Sequence, residues 1–286
     1  MYYSDKILFM IIRLKGGPGN QLFQYAFGRL LSIKNGVNVK YKFSVNKNDS
    51  VRKYFLGYFN TKVEIATDEE FKKTRYPLAI ISKIIELLKT KIFRQFNIGY
   101  IPKLLNKKDG YLEGYWQSYK YLEPIRKELL GEITLKNPIN KYEILNKIEN
   151  TNSICLNVRR GDYINNKKFA KEWITFGMEY YDNAFKLMKE KVSNPIIFVF
   201  SDDIEWCKNN LKTDIPLIFS NPKVPVQENF IIATKCKHNI IVNSSYAFWV
   251  AWLNQNQNRI VIAPKKWNNR YNREYKDLLP KEWIQI

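Results

Sequence analysis

Three short segments in the second half of the chain carry residue types suited to holding a phosphate: Val158-Arg159-Arg160-Gly161-Asp162, Phe200-Ser201-Asp202-Asp203 and Asn243-Ser244-Ser245-Tyr246. A guanidinium presents a planar fork of donors that matches phosphate oxygens. Adjacent arginines repel unless an anion arrives, or unless a carboxylate such as Asp162 pairs with one and shapes the turn; spacing leaves both readings open. Paired hydroxyls at a helix start, together with unsatisfied backbone N–H groups, also make an anion site. Ordinary capping accounts for one of Ser244 and Ser245, not both. Asp202 and Asp203 are placed to accept hydrogen bonds from a nucleobase or ribose, or to cap the helix that follows. Two neighbouring carboxylates lack the further ligands of a Mg²⁺ cage.

Other chemistries find little support. His238 is the only histidine, and its place before an apolar run suggests a structural role, so a Ser-His-Asp or Cys-His arrangement is not expected. Neither a G-x-G-x-x-G nor a G-x-x-x-x-G-K-[ST] fingerprint follows a strand.

The elements that position these residues follow from periodicity. Strand-like runs at 153–159, 195–200, 216–219, 239–242 and 259–263 alternate with helical patterns at 179–191, 203–211, 227–235 and 244–253. That alternation predicts a parallel sheet with helices on both faces, where ligands sit at the carboxyl ends of strands. The run 246–253 is apolar all round, which predicts a buried central helix. Earlier, a strand at 7–14, a glycine-rich turn at 16–20 and a helix stopped by Gly36 form a further βα unit. The amphipathic stretch 78–93 fits a helix packed on that first domain, or one lying on a membrane surface. A polar, Pro-containing stretch at 136–142 suggests domains of 1–140 and 141–286.

Bulk properties set limits. The chain has 286 residues, 45% of them hydrophobic, which excludes a purely disordered protein. Its apolar runs fall short of the about 20 residues a membrane span needs. Three scattered cysteines suggest no disulfide framework, and no signal-peptide pattern follows the apolar run at 7–12, so a reducing cytoplasm is the expected location. Lys plus Arg number 47 against 27 Asp plus Glu, a formal charge of +20. This excess suits nucleic acid, an anionic membrane face or phosphorylated small molecules, or reflects solvated lysines spread over the surface.

Taken together, Gly16-Gly17-Pro18-Gly19-Asn20-Gln21-Leu22-Phe23-Gln24-Tyr25-Ala26, Gly114-Tyr115-Trp116-Gln117-Ser118, Val158-Arg159-Arg160-Gly161-Asp162-Tyr163, Phe200-Ser201-Asp202-Asp203 and Cys236-Lys237-His238-Asn239-Ile240-Ile241-Val242-Asn243-Ser244-Ser245 resemble, in order, the motifs of bacterial α-1,2-fucosyltransferases. The resemblance spans nearly the whole chain. It implies an α/β, GT-B-like enzyme with two Rossmann-type domains facing a cleft, the first on the acceptor side and the second binding GDP-L-fucose. It also implies inverting, metal-independent transfer from GDP-β-L-fucose to a sugar hydroxyl, usually the 2-OH of galactose in a surface glycan such as an O-antigen, with no cofactor beyond the donor substrate. In that family Arg159 matches an arginine on the diphosphate, and Ser244 and Ser245 match the phosphate-binding segment. Asp202 or Asp203 matches a position near guanine, and Asn20 faces the cleft. Gly17, Gln21, Asn157, Arg160, Ser201, Asn243 and Tyr246 complete the expected substrate-binding set. Asp162 and Glu228 are the candidates for taking the acceptor proton.

Three departures stand out: Asn157 replaces a common His, Pro18 a usual Leu, and Tyr246-Ala247-Phe248-Trp249 a usual Phe-Ser-Trp-Trp. The expected partners are GDP-L-fucose, a galactose-terminated or lipid-linked glycan, and an anionic inner membrane face contacted peripherally. Two alternatives are a related transferase using another GDP-sugar or linkage, and a basic nucleic-acid-binding protein. Against the latter, no RNP-like or helix-turn-helix pattern occurs.

Overall fold

The computed structural model describes residues 9–43, 53–75, 98–139, 141–161, 173–269 and 275–286. Asp162 and the amphipathic stretch 78–93 lie outside them. The chain forms two compact units, Met1–Ile133 with Glu274–Leu278, and Thr134–Arg273 with Leu279–Ile286.

In the first unit, β1 (Phe9–Leu14) leads through the glycine-rich turn into α1 (Pro18–Asn35). Proline in the first helical turn suits a position whose N–H has no helical partner. Gly36 closes the helix in the left-handed conformation at φ 64°, its N–H returning to the Ser32 carbonyl. Leu22, Phe23, Ala26, Phe27, Leu30 and Leu31 bury the inner face. Then come β2 (Asn38–Phe43), β3 (Glu64–Ile65), α2 (Asp68–Arg75), β4 (Gly110–Leu112) and α3 (Arg126–Glu132). The sheet runs β3-β2-β1-β4, parallel throughout. β2 escapes a periodicity search because its polar face is lysine: Val39 and Tyr41 are buried while Lys40 pairs with Glu64 and Glu70, and Lys42 with Asp68. A late segment rejoins this unit, with Tyr119 N–H donating to the Asp277 and Leu278 carbonyls and Ser118 Oγ to the Asp277 carbonyl at 2.6 Å.

The second unit contains α4 (Glu143–Glu149), β5 (Asn152–Val158), α5 (Met178–Lys191), β6 (Pro195–Ser201), α6 (Ile204–Asn210) and β7 (Leu217–Phe219). It continues with α7 (Val226–Thr234), β8 (His238–Ile240), α8 (Ser245–Leu253), β9 (Val261–Ala263) and β10 (Ile284–Gln285). Its sheet runs β10-β9-β8-β5-β6-β7, all parallel. In chain order this is the doubly wound 3-2-1-4-5-6 arrangement, and its topological switch lies between β5 and β8. Parallel pairing requires a crossover between strands, which the helices supply. Ile154, Leu156 and Val158 pack with Tyr181, Ala184, Phe185 and Met188 of α5. α8 is buried from Ala247 to Leu253, as an all-round apolar helix must be.

Two parallel α/β units in one chain make the architecture GT-B-like. His238 is structural: its Nδ1 accepts the Ile260 N–H at 3.1 Å, and burial, helped by the Lys237 charge, holds its pKa below the ordinary histidine value.

Candidate functional site

Ligands of doubly wound sheets bind outside the carboxyl ends of the strands, at the switch. The register pairs Val158 with Ser201 and Leu156 with Ile240. Neighbouring strands lie about 4.8 Å apart. The segment after β5 (Arg159, Arg160), that after β6 (Asp202, Asp203) and the turn from β8 into α8 (Asn243, Ser244) therefore leave the same edge of the sheet side by side.

Side-chain alternation separates the two arginines. Arg159 Nη1 reaches Asp202 Oδ2 at 2.8 Å and its side chain stays 36% exposed. Arg160 lies with its guanidinium 3.7 Å from the centre of the Trp206 ring, its Nε 3.5 Å from Asp203. Its side chain is packed onto α6. Among the described residues, Asp202 is a carboxylate paired with Arg159. Asp202 also accepts the Arg160 N–H at 2.9 Å on Oδ1 and the Gly161 N–H at 3.1 Å on Oδ2. Asp203 caps α6 by accepting the Trp206 N–H at 3.1 Å, and Ser201 Oγ accepts the Asp203 N–H at 2.9 Å.

The start of α8 is different. Ser244 holds the N-cap position with extended backbone angles, yet its side chain makes no capping bond. Its carbonyl accepts the Phe248 N–H at 2.9 Å, leaving the first-turn N–H groups of Ser245, Tyr246 and Ala247 without helical partners. Both serines are partly exposed. An uncapped helix start with two hydroxyls carries partial positive charge and suits an anion. Tyr246 packs edge-on against Phe230 with centroids 5.1 Å apart.

Several expected residues are also engaged within the fold. Asn243 is buried, and its amide donates to the Ile174 carbonyl at 3.1 Å and the Trp267 carbonyl at 2.9 Å, tying two loops to the strand end. Asn157 is 4% exposed within β5, where its Oδ1 lies 3.6 Å from Cys155 Sγ. Glu228, in the first turn of α7, accepts the Tyr142 hydroxyl at 2.6 Å and sits 3.5 Å from Lys141 Nζ.

In the first unit the corresponding switch lies between β1 and β4. Gly16 has φ 80°, and a Cβ there would meet Asn20 Nδ2 at 2.7 Å, so glycine is required. Asn20 Oδ1 accepts the Gln117 amide at 2.6 Å, and the backbone at Gly17 is open, with nothing within 4 Å of an added Cβ. Gln21 is fully buried: its amide donates to the carbonyls of Gly16 and Lys53 and accepts the Phe55 N–H. It ties the glycine-rich turn to the segment 53–55.

Glu113, at the end of β4, is a residue that sequence reasoning missed. It accepts from Lys15 at 2.9 Å, the Tyr111 hydroxyl at 2.9 Å and Arg13 at 3.3 Å. Burial alone would raise its pKa, but the hydrogen bond and charge of Lys15, with Arg13 and Tyr111, outweigh this and hold it at about 2. The available signal was Arg13 and Lys15 at period two, with one acidic residue abutting the Gly114-Tyr115-Trp116 motif.

Among the described residues no helix is long and apolar enough to cross a membrane, and no three His, Cys, Asp or Glu side chains gather as a metal site.

A family model, glycosyl transferase family 11, matches residues 86–286. The chain belongs to glycosyl transferase family 11. An α-1,2-colitosyltransferase of Escherichia coli is 32% identical across 97% of this chain and 98% of its own length. The O-antigen biosynthesis glycosyltransferase WbnK of Escherichia coli is 29% identical across 96% and 99%. A galactoside α-(1,2)-fucosyltransferase 2 of Hylobates lar is 25% identical over 50% of this chain and 44% of its own. Among solved structures, fucosyltransferase NodZ from Bradyrhizobium aligns over 86% of this chain and 93% of its own at 12% identity, with a TM-score of 0.49. Membership of family 11 makes the protein a glycosyltransferase and decides between the enzyme and nucleic-acid-binding readings of its basic charge.

Proposed function

We propose that this family 11 enzyme transfers L-fucose from GDP-β-L-fucose to the 2-hydroxyl of a galactose in a surface glycan, with inversion to an α-1,2 linkage. The observation that carries the reading is the uncapped start of α8, whose Ser244 and Ser245 stand at a strand end beside that of Arg159, at the switch of a doubly wound sheet. Two full-length relatives named for α-1,2-colitosyl transfer and O-antigen biosynthesis, and a shorter match to a galactoside α-(1,2)-fucosyltransferase, support the linkage and acceptor class.

The chemistry follows from charge. As the anomeric C–O bond breaks, negative charge grows on the departing GDP and positive charge on the sugar ring. A fixed guanidinium and oriented N–H dipoles at the diphosphate stabilise that separation without reorganising. In this proposal the second unit holds the donor through Arg159, Ser244 and Ser245, and the first holds the acceptor near Gly17 and Asn20. Asp162, next to Gly161, and Glu228 are the candidate groups for taking the acceptor proton.

A second donor is favoured by one specific observation, the 32% identical colitosyltransferase. Colitose is L-fucose without its 3-hydroxyl, so the same transfer geometry serves both sugars. Parallel incubations of GDP-L-fucose and GDP-L-colitose with galactose-terminated oligosaccharides, read by product mass and linkage analysis, test the reading. An α-1,2-linked product supports it and its donor preference names the sugar; the absence of both transfer and donor hydrolysis refutes it. The charge of +20 further suits peripheral docking on an anionic inner leaflet, where lipid-linked glycans are assembled. Co-sedimentation that ignores liposome charge would end that part.

A further inference from the structure

We propose that Asp202 is a positioning residue, aiming Arg159 at the donor diphosphate, and that it does not read the guanine base. The proposal rests on the donor-binding reading above. Three donors from one turn converge on this carboxylate: the N–H groups of Arg160 and Gly161, at 2.9 and 3.1 Å, and Arg159 Nη1 at 2.8 Å. A carboxylate reading guanine offers both oxygens to the N1 and N2 donors of the base. Here Oδ1 is directed to the Arg160 N–H, and Oδ2 is shared between Gly161 and the guanidinium.

The backbone of the turn is shaped to the same end. A Cβ on Gly161 would lie 2.8 Å from Asp202 Oδ2, closer than real Cβ contacts come, so glycine at 161 is what lets the carboxylate approach. The turn carrying Arg159 comes from β5 and Asp202 follows β6, its parallel neighbour. Asp202 therefore fastens one strand end to the next and fixes the origin of the arginine. The two N–H groups offset much of the carboxylate charge, so it orients the guanidinium without neutralising it. Arg160 takes part through its backbone N–H alone, its side chain being stacked on Trp206.

The experiment compares wild type, Asp202→Asn, Gly161→Ala, Arg159→Ala and the Arg159→Ala/Asp202→Asn double variant. GDP and IDP binding is measured by calorimetry, and transfer kinetics and melting temperature are followed in parallel. IDP lacks the 2-amino group that a base-reading carboxylate would contact. Asn keeps the shape of Asp202 but turns an amide toward donors, releasing Arg159. GDP affinity should fall about tenfold or more, kcat should drop, and the acceptor KM and the GDP-to-IDP affinity ratio should stay as in wild type. Adding Asp202→Asn to Arg159→Ala should change binding less than about twofold, the non-additivity of groups that act as one. Gly161→Ala should reproduce the pattern by displacing the carboxylate, and serves as the test if Asp202→Asn does not fold. A GDP-to-IDP ratio that collapses in either single variant, or effects that multiply in the double variant, would overturn the positioning role. Wild-type protein that binds no GDP would overturn the donor-site reading beneath it.

Discussion

Replacing Arg159 by alanine removes one fixed positive charge from the carboxyl end of β5. A unit charge about 4 Å from its partner at an effective dielectric of about 20 interacts by about 4 kcal/mol. The guanidinium is 36% exposed and already shared with Asp202, so roughly half to two-thirds of that, about 2–3 kcal/mol, is a reasonable loss from the transition state. This corresponds to about 10² in rate, the scale seen when one oriented donor is removed from a developing oxyanion. The fold should survive, because the two backbone N–H groups still hold Asp202 and a partly exposed ion pair contributes at most about 1 kcal/mol. The assay is initial-rate transfer at saturating acceptor over a range of GDP-sugar, with a thermal melt of the same preparation. Arg159→Lys keeps the charge but loses the planar fork, and should fall between wild type and alanine. Near-normal turnover in Arg159→Ala refutes the assignment, and loss of the folded state would show that the residue is structural.

Neither Ser244 nor Ser245 caps α8, so alanine at each should weaken GDP binding several-fold and leave the melting temperature within the change of an ordinary surface substitution, about 0.5 kcal/mol; a cooperative loss of stability would show a hidden cap. Glu113 is held at about 2 against an unfolded value near 4.5. A depressed carboxylate contributes stability that is complete above the unfolded value and lost as pH falls through the folded one. Discounted for its partial exposure, Glu113→Gln should cost about 1–2 kcal/mol at pH 7, with the gap in melting temperature closing between about pH 5 and pH 2; a gap independent of pH would refute the charge account. Glu132 is 7% exposed, accepts from the Tyr25 hydroxyl and pairs with Arg29 at 2.7 Å, so Glu132→Ala should cost about 2–3 kcal/mol by leaving the partly buried guanidinium and the Tyr25 hydroxyl without this carboxylate. Urea unfolding checks it, and a cost below about 1 kcal/mol would mean the pair is effectively solvated.

The second unit was legible because its strands are buried on both faces and read as continuous apolar runs, Pro195–Ser201 above all, separated by helices of clear period. Strand ends fixed the neighbourhood of Arg159, Asp202 and Ser244 before any coordinates. Pattern could not say which way each side chain turns. Period two sends Arg160 away from Arg159, but that its partner is Trp206, beyond the end of a different strand, is a tertiary fact. Asn243 and Gln21 illustrate the same limit. A buried amide that satisfies backbone carbonyls and one that waits for a ligand look alike in sequence, because both are polar residues in an apolar setting. β2 was hidden by lysines whose partners, Glu64, Asp68 and Glu70, come from later elements. The return of Asp277 and Leu278 to the first unit was hidden because no local propensity encodes it.

The start of α8 joins stability to function. A serine in the N-cap position ordinarily contributes about 1 kcal/mol by accepting an N–H from the first turn; here Ser244 makes no such bond. The helix does not need it, since Ala247 to Leu253 are buried and burying apolar side chains contributes about 1.5–3 kcal/mol for each of the larger ones. Packing therefore fixes the helix axis and leaves its first-turn dipoles oriented but unsatisfied. Arg159 is held by the same logic from the neighbouring strand, where a carboxylate and a glycine define its place. In the proposed donor site, a diphosphate between them would meet donors whose orientation was set during folding, so little of the interaction would be lost to reorganisation as charge builds on the leaving group. Where the local rule of capping is set aside at a sheet edge, with the surrounding core intact, function is the expected cause.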